Sequence, residues 1–438
     1  GRSPKDFDLA TSAMPDVVMA LFGNRFAIPT GLQHGTVTVL TGAPPAGRPV
    51  EVTTFRGEGV YLDGRRPSSV EFGKTLVEDL SRRDFTMNAI AYDPLGDVVT
   101  DPFGGREDLG RKLVRAVGDP VLRFSEDGLR PMRAVRQATQ LGFAIDPPTM
   151  SAIGATLGSF RKVSAERIRD ELMKLLAASA PARGLELLRE SGLLAEVMPE
   201  LLEGVGCTQN RFHKYDVYGH TVATLAATTS EDPVLRLGAL LHDVGKPRAR
   251  QPKDDAPGEY SFFKHEYVGA EMAVTICQRL KLSSAERESV RLLVANHMFY
   301  YTPEWTDGGI RRFVRRVGVQ ELPGLLALRE ADVLGRGFNE DPAKETAELR
   351  RRIAEVASAD AALSVKDLAI DGRQVMRLLA APPGRIVGAV LEALLERVLD
   401  DPSLNSNETL AALVPTIAAD LIAAGNVPPR PPPRPEDC

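Results

Sequence analysis

Cysteine is scarce in this sequence: Cys207, Cys277 and Cys438 are the only three in 438 residues, scattered and odd in number. That excludes a disulfide framework and fits a reducing compartment, so a cytoplasmic location is expected. Long apolar runs are missing as well. No stretch approaches the roughly 18 uncharged apolar residues that a membrane span requires, and no signal-peptide pattern opens the chain. Positive charge is not in excess either: 54 Lys and Arg stand against 59 Asp and Glu, a net charge of −5. A global basic field for nucleic acid is thereby ruled out, and any such contact must come from a local patch. What is present describes a globular protein of several domains, with 43% hydrophobic and 26% charged residues.

Two regimes follow one another along the chain. Up to about residue 115, short β-type runs ("GTVTVL", "VEVTTF", "GDVVTDPF") mix with a few helical segments, the pattern of an α+β unit. From about residue 120 nearly everything carries the helical three- and four-residue spacing, from "EDGLRPMRAVRQATQLGF" to "ETLAALVPTIAADLIAA". Breaks are suggested at Pro120, around Gly204 to Asn210 and around Gly335 to Ala343, and the tail "NVPPRPPPRPEDC" favours polyproline II.

Three stretches of the first half carry chemistry. In "KDFDLAT", Asp6 and Asp8 project to one side of an extended chain, and two carboxylates so placed call for cations between them. Oxygen ligands suit Mg²⁺ bridging nucleotide phosphates, although a solvated acidic turn is the commoner explanation of D-x-D alone. In "VEVTTF", Glu51 alternates with Val50 and Val52, so a strand beside the first would aim it at the same place. In "SRRDFTMNA", Arg83 and its neighbour Arg82 can grip a triphosphate, while Asp84 and Asn88 can hold ribose hydroxyls. In "RFSEDGLRPMRAVRQA", Asp127 and Arg130 are three apart and share a face if the segment is one helix. Cytosine and adenine both present an amino donor beside a ring-nitrogen acceptor. A carboxylate next to a guanidinium matches both bases and clashes with uracil and guanine. An ordinary intrahelical ion pair explains the same two residues.

"KDFDLAT", "EVTTFR", "RRDFTMNA", "DPFGGREDL", "EDGLRPMRAVRQATQLGF" and "VSAERIRDELMKLL", in that order, resemble the class II tRNA nucleotidyltransferase and bacterial poly(A) polymerase family. The resemblance extends to a bacterial subgroup carrying an HD domain, and "DLAIDGRQVMRLLAAPPGRIVG" is similar to its tail region. It implies Asp6 and Asp8 as Mg²⁺ ligands, with Glu51 as a third catalytic carboxylate. It also implies Arg83, Asp84 and Asn88 as triphosphate and ribose contacts, Asp127 and Arg130 as the base-reading pair, and Arg133 as a further nucleotide-facing residue. The family has a glycine-rich stretch before the D-x-D, and the sequence starts at Gly1 within that motif. The head is therefore expected to be incomplete, and weakly active or inactive as given, although the full gene product need not be. The implied division is a nucleotidyltransferase head over 1–118, a helical neck over 119–205 for nucleotide recognition and RNA binding, an HD-type helical domain over 206–340, a helical tail over 341–425, and a free proline-rich end over 426–438.

The second constellation gathers histidine. Of six histidines, five fall between His213 and His297. His220, then His242-Asp243 at the end of the apolar "LRLGALLHDVGKP", then Asp332 give the order H, HD, D. This resembles the HD phosphohydrolase superfamily, in which those four residues bind a divalent metal and activate water. His265 and His297 are either further lining of that site or polar helix residues, and His34 reads as a loop residue near the head.

Between Arg106 and Lys174, thirteen Lys and Arg stand against nine Asp and Glu, a local basic lean that suits an RNA acceptor stem read by phosphates and shape. The expected activity is template-free addition of C, C and A to a tRNA 3′ end from CTP and ATP. The HD part is expected to hydrolyse phosphate ends such as 2′,3′-cyclic phosphates. Expected partners are tRNA, CTP and ATP, with neither DNA nor a membrane, and the oligomeric state stays open. The alternatives are a poly(A) polymerase of the same family, or a metal phosphohydrolase or RNA-binding protein with a degenerate head.

Overall fold

The computed structural model describes residues 7–42, 48–57, 75–210, 212–253, 259–338, 341–358 and 364–425. Asp6, the stretch "YLDGRRPSSVEF" and the proline-rich end lie outside them.

The head carries a four-stranded mixed sheet in the order β1-β4-β3-β2, with β1 Asp8–Thr11, β2 Ala27–Gly31, β3 Thr36–Leu40 and β4 Pro49–Thr54. Alternation decides its two faces. Val37 and Val39 of β3 and Val52 of β4 are buried with Val18, which the helix Pro15–Phe22 lays across that side. The intervening Glu51 and Thr53 project to the other face. β1 runs parallel to β4, and the register sets Asp8 opposite Glu51. Register partners in a sheet share a face, so the two carboxylates stand side by side at one end of the sheet.

Downstream, Thr75 and Glu78 form a reciprocal capping box that starts the helix Leu76–Ser81. Phe85 then bridges to Ala116, and the Thr86 amide donates to the Arg115 carbonyl at 2.9 Å. The rest is helical, as the spacing requires. A single hydrophobic core runs from Phe85, Val114 and Phe124 through Met132, Val135, Leu172 and Leu188 to Leu240, Ile276 and Val294. No core boundary falls at 118 or at 205. The buried Arg236 reinforces the junction by donating to the carbonyls of Leu176 and Ala178, orphaned at the end of the helix Ala165–Leu176. Leu368, Leu394, Leu410 and their neighbours make a separate tail core. Among the described residues, no helix is long and apolar enough to cross a membrane.

One expectation fails here. Asp127 and Arg130 do not share a helix face, because the helix is interrupted between them. The helix Pro120–Glu126 ends with Asp127 extended (φ −137°, ψ 106°), and a new helix, Arg130–Leu141, begins with Pro131 in its first turn. Gly128 is the reason. A Cβ there would lie 2.3 Å from the Ser159 carbonyl oxygen, so two backbones meet at that point and only glycine fits.

Candidate functional site

Between the head sheet and the helix Arg130–Leu141 lies an open cavity of about 830 Å³. Asp8 and Glu51 line one part of it; Arg83, Asp84, Asn88, Asp127, Arg130 and Arg133 line the rest, together with Arg56, Arg82, Arg136 and Arg167. Nine of the ten head and neck residues given a metal or nucleotide role in the sequence, Arg82 included, therefore meet in one cavity. Asp6, the tenth, lies outside the described residues. Asp8 and Glu51 have no ion-pair partner among the described residues, and their donor set is oxygen only, which fits a hard divalent cation.

The wall opposite is a lattice of arginines held by buried carboxylates. Asp79, 2% exposed, accepts from Arg82 and Arg83, each at 3.3 Å, and from the Arg56 amide at 3.2 Å. Arg83 also donates to the Asn88 carbonyl at 3.1 Å. Asp84 accepts from the Asn88 amide at 2.9 Å and from Arg133 Nε at 2.8 Å. Burial pushes the Asp84 carboxyl up, but Arg133, the Asn88 hydrogen bond and the Arg130 field outweigh it and hold the group below its ordinary value. Glu171, also buried, pairs with Arg136. Fixed guanidinium groups of this kind are pre-set for phosphate oxygens, with little side-chain entropy left to lose.

Asp127 and Arg130 reach the same cavity by different routes. Asp127 Oδ1 accepts from the Leu129 amide at 3.0 Å, and its Oδ2 pairs with Arg167 at 2.8 Å. Arg130 is locked from behind by Glu126 at 2.6 Å, the Arg123 carbonyl and the Arg82 carbonyl, both at 2.8 Å. Sequence reasoning missed Asp79, Glu126, Arg167 and Glu171. Arg167 and Glu171 lie in the quoted "VSAERIRDELMKLL", whose helical spacing turns both toward one partner, but nothing in that stretch names the partner.

The second centre is the histidine cluster, about which the sequence was explicit. His220 comes from the helix Val217–Ala227, His242 ends the helix Pro233–Leu241, and Asp332 lies in the helix Leu322–Gly335. His265 opens the helix His265–Arg279, and His297 ends the helix Ser284–Asn296. With Asp243 these six side chains are all buried. His220 Nε2 is 3.1 Å from His242 Nε2 and 3.1 Å from Asp332 Oδ1. His265 and His297, left open by the sequence, belong to the cluster: His265 Nε2 is 3.2 Å from Asp243 Oδ1. Gly245 makes the approach possible, because a Cβ there would lie 2.3 Å from the His265 carbonyl oxygen. The mixed imidazole and carboxylate donors could hold metal ions in two groups, His220, His242 and Asp332 in one and Asp243, His265 and His297 in the other. His213 packs edge-on against His220, and burial with the Lys246 charge pushes its pKa down to about 3, so it stays neutral. His34 sits in a short 3₁₀ turn of the head, Leu32–His34, apart from both centres.

Residues 1–115 match the Poly A polymerase head domain, 142–204 the probable RNA and SrmB-binding site of polymerase A, and 217–337 the HD domain. The chain is 39% identical over 331 residues to the A-adding tRNA nucleotidyltransferase of Deinococcus radiodurans, an alignment spanning 73% of this chain and 75% of that protein. It is 50% identical over 195 residues to the CCA-adding enzyme of Geobacillus stearothermophilus, spanning 44% and 46% of the two. Its structure is similar to that of the Bacillus stearothermophilus CCA-adding enzyme in complex with CTP, with TM-score 0.69, 29% identity and 97% and 91% of the two chains covered. The chain belongs to the tRNA nucleotidyltransferase and poly(A) polymerase family, and it is a nucleotidyltransferase joined to an HD domain.

Proposed function

We propose that this protein completes the 3′ end of tRNA, adding C, C and A from CTP and ATP without a nucleic-acid template. The observation that carries the reading is the register of Asp8 opposite Glu51 at one part of a cavity whose other walls are fixed arginines and Asp127. Asp8 and Glu51, with Asp6 beside them in sequence, would hold Mg²⁺, which when bound neutralises phosphate charge and favours in-line displacement of pyrophosphate. Arg82 and Arg83 grip the triphosphate, and Asp84 with Asn88 faces the ribose. Arg133 holds Asp84 ionised. Asp127 accepts from the amino group of cytosine or adenine, while the locked Arg130 offers N–H to the ring nitrogen and Arg167 holds the Asp127 carboxylate in place. The neck over 119–205 presents the basic lean to the acceptor stem. Buried free Cys207 and Cys277 support a reducing, cytosolic setting.

A second activity is favoured by the buried histidine cluster: the HD region over 206–340 hydrolyses phosphate ends on RNA. The test of the main reading is incorporation of labelled CTP and ATP into tRNA ending at its discriminator base, using the complete gene product. Two C and one A should be added. Incorporation of A alone, and only onto tRNA ending in CC, would make it an A-adding enzyme like its Deinococcus relative; long A tracts would make it a poly(A) polymerase. No incorporation by the folded protein would overturn the reading.

A further inference from the structure

A second cavity, of about 640 Å³, lies between the helix Asp307–Val317 and the tail helix Arg385–Asp400. It shares no lining residue with the head cavity and includes none of the clustered histidines. Its size suits one small molecule. Trp305, the only tryptophan of the chain, and Phe313 supply its apolar part. Their rings meet edge to face with centroids 5.6 Å apart, and Tyr301 stands edge-on to the same indole at 5.6 Å. Arg352 donates to the Trp305 carbonyl at 2.6 Å, so both the ring and the backbone of this residue are held.

The polar part of the cavity is made almost wholly of donors. Arg312, Arg315 and Arg316 all reach it, and among the described residues Glu396 is the only carboxylate in its lining. Both Glu396 oxygens are taken, Oε2 by Arg312 at 2.7 Å and Oε1 by Arg315 at 2.9 Å. Arg312 also holds Asp400 at 2.6 Å and Arg315 holds Glu392 at 2.5 Å, so the charge of these two is spent across the junction with the tail. Arg316 differs. Among the described residues it has no carboxylate partner, and beside it lies only the Phe313 ring, 5.5 Å from its guanidinium carbon. The Trp305 indole N–H likewise has no hydrogen-bond acceptor among the described residues.

A cavity with a held aromatic wall and spare donors is complementary to a flat apolar body that carries acceptors and a small negative charge. A nucleotide has that form: its base offers a planar face with ring-nitrogen acceptors, and its phosphate offers oxyanions to a guanidinium. The surrounding charge decides how many phosphates fit. Glu304 and Asp307 flank the Trp305-Thr306 turn, while Glu392, Glu396 and Asp400 border the arginines. A triphosphate or an RNA strand would bring repeated negative charge against these acids. One phosphate meets the single uncompensated guanidinium of Arg316.

We propose that this cavity binds a free nucleoside monophosphate, with the base against the Trp305 indole and the phosphate on Arg316. The site is separate from the head cavity, so its ligand does not compete with the nucleotide being incorporated. Its walls come from the HD region on one side and from the tail on the other. An occupant therefore braces the junction that Arg312 and Arg315 make with Glu396.

The test is tryptophan fluorescence of the full chain, which reports on this cavity alone because Trp305 has no counterpart elsewhere. AMP should quench it saturably and bind about fivefold more tightly than adenosine, the factor expected of one exposed charge-assisted hydrogen bond. Arg316→Ala should reduce AMP to the affinity of adenosine and leave adenosine unchanged, and Arg316→Lys should recover part of the difference. CTP incorporation and the melting temperature of Arg316→Ala should match the wild type. ATP and a short oligoadenylate should both bind more weakly than AMP. The absence of saturable quenching, or an Arg316→Ala variant that weakens AMP and adenosine alike, would overturn the proposal. Oligoadenylate binding more tightly than AMP would also overturn it and make the cavity a contact for an RNA base.

Discussion

Replacing Asp127 by Asn is the sharpest test of the base reading proposed for it. The amide keeps the size of the carboxylate but exchanges an acceptor for a donor. Asp127 spends Oδ1 on the Leu129 amide at 3.0 Å and Oδ2 on Arg167 at 2.8 Å, so its orientation is fixed from both sides. A hydrogen bond to a charged group contributes about 1.5–3 kcal/mol, which is about 10- to 150-fold in kcat/KM. With the Asp127 side chain 22% exposed, solvent screening places the effect at the lower end, about tenfold for CTP. Uracil presents a carbonyl where cytosine presents its amino group, so the amide removes one of the two mismatches with UTP, while the Arg130 N–H still meets the uracil ring N–H. The assay is steady-state incorporation of each of the four nucleoside triphosphates onto tRNA lacking its last three residues, with circular dichroism as a check on folding. A UTP-to-CTP preference unchanged within about twofold in a folded variant would refute the assignment of Asp127 to base reading.

Acid should act through Asp84. Its folded pKa lies below the ordinary carboxylate value, so its pairing with Arg133 contributes stability above about pH 4 that is lost as pH falls through the folded pKa. Asp84→Asn should flatten the acid limb of a stability–pH curve, and an unchanged limb would count against the pairing. Gly245→Ala must displace the HD turn from the His265 carbonyl, at a cost on the order of 1–3 kcal/mol; the melting temperature should fall and its rise on adding Co²⁺ should vanish. Cys277, fully buried with its thiol pushed up to about 11 by burial, should resist alkylation at pH 8 until the protein unfolds, as peptide mass spectrometry would show. Chelation by EDTA should stop nucleotide incorporation, and Mg²⁺ should restore it.

The parts legible in the sequence were those set by local rules. Alternation in "VEVTTF" placed Glu51 on the face opposite Val52, and the H, HD, D order with its apolar helix placed His220, His242, Asp243 and Asp332 together. What was not legible depends on tertiary approach. The break after Glu126 follows from Gly128 meeting a backbone oxygen thirty-one residues on. "RFSEDGLRPMRAVRQA" satisfies helical spacing throughout and carries no sign of that meeting. Asp79 and Glu171 look like helix-surface acids until the fold buries them under arginines. His265 and His297 share no motif with the HD dipeptide, and only the packing of their helices brings them to Asp243.

The hydrophobic core running unbroken from Phe85 to Val294 ties the fortunes of the two centres. Met132 and Val135, which carry the arginine-bearing helix, and Leu241 and Val244, which bracket His242 and Asp243, unfold or persist together. Anything that ligates the native histidines therefore acts as ballast for the polymerising end, worth about 2.7 kcal/mol when free metal is a hundred times its dissociation constant. Scarcity of that metal would then reach tRNA maturation as dwindling amounts of intact enzyme, without any change in the catalytic rate of the molecules that survive.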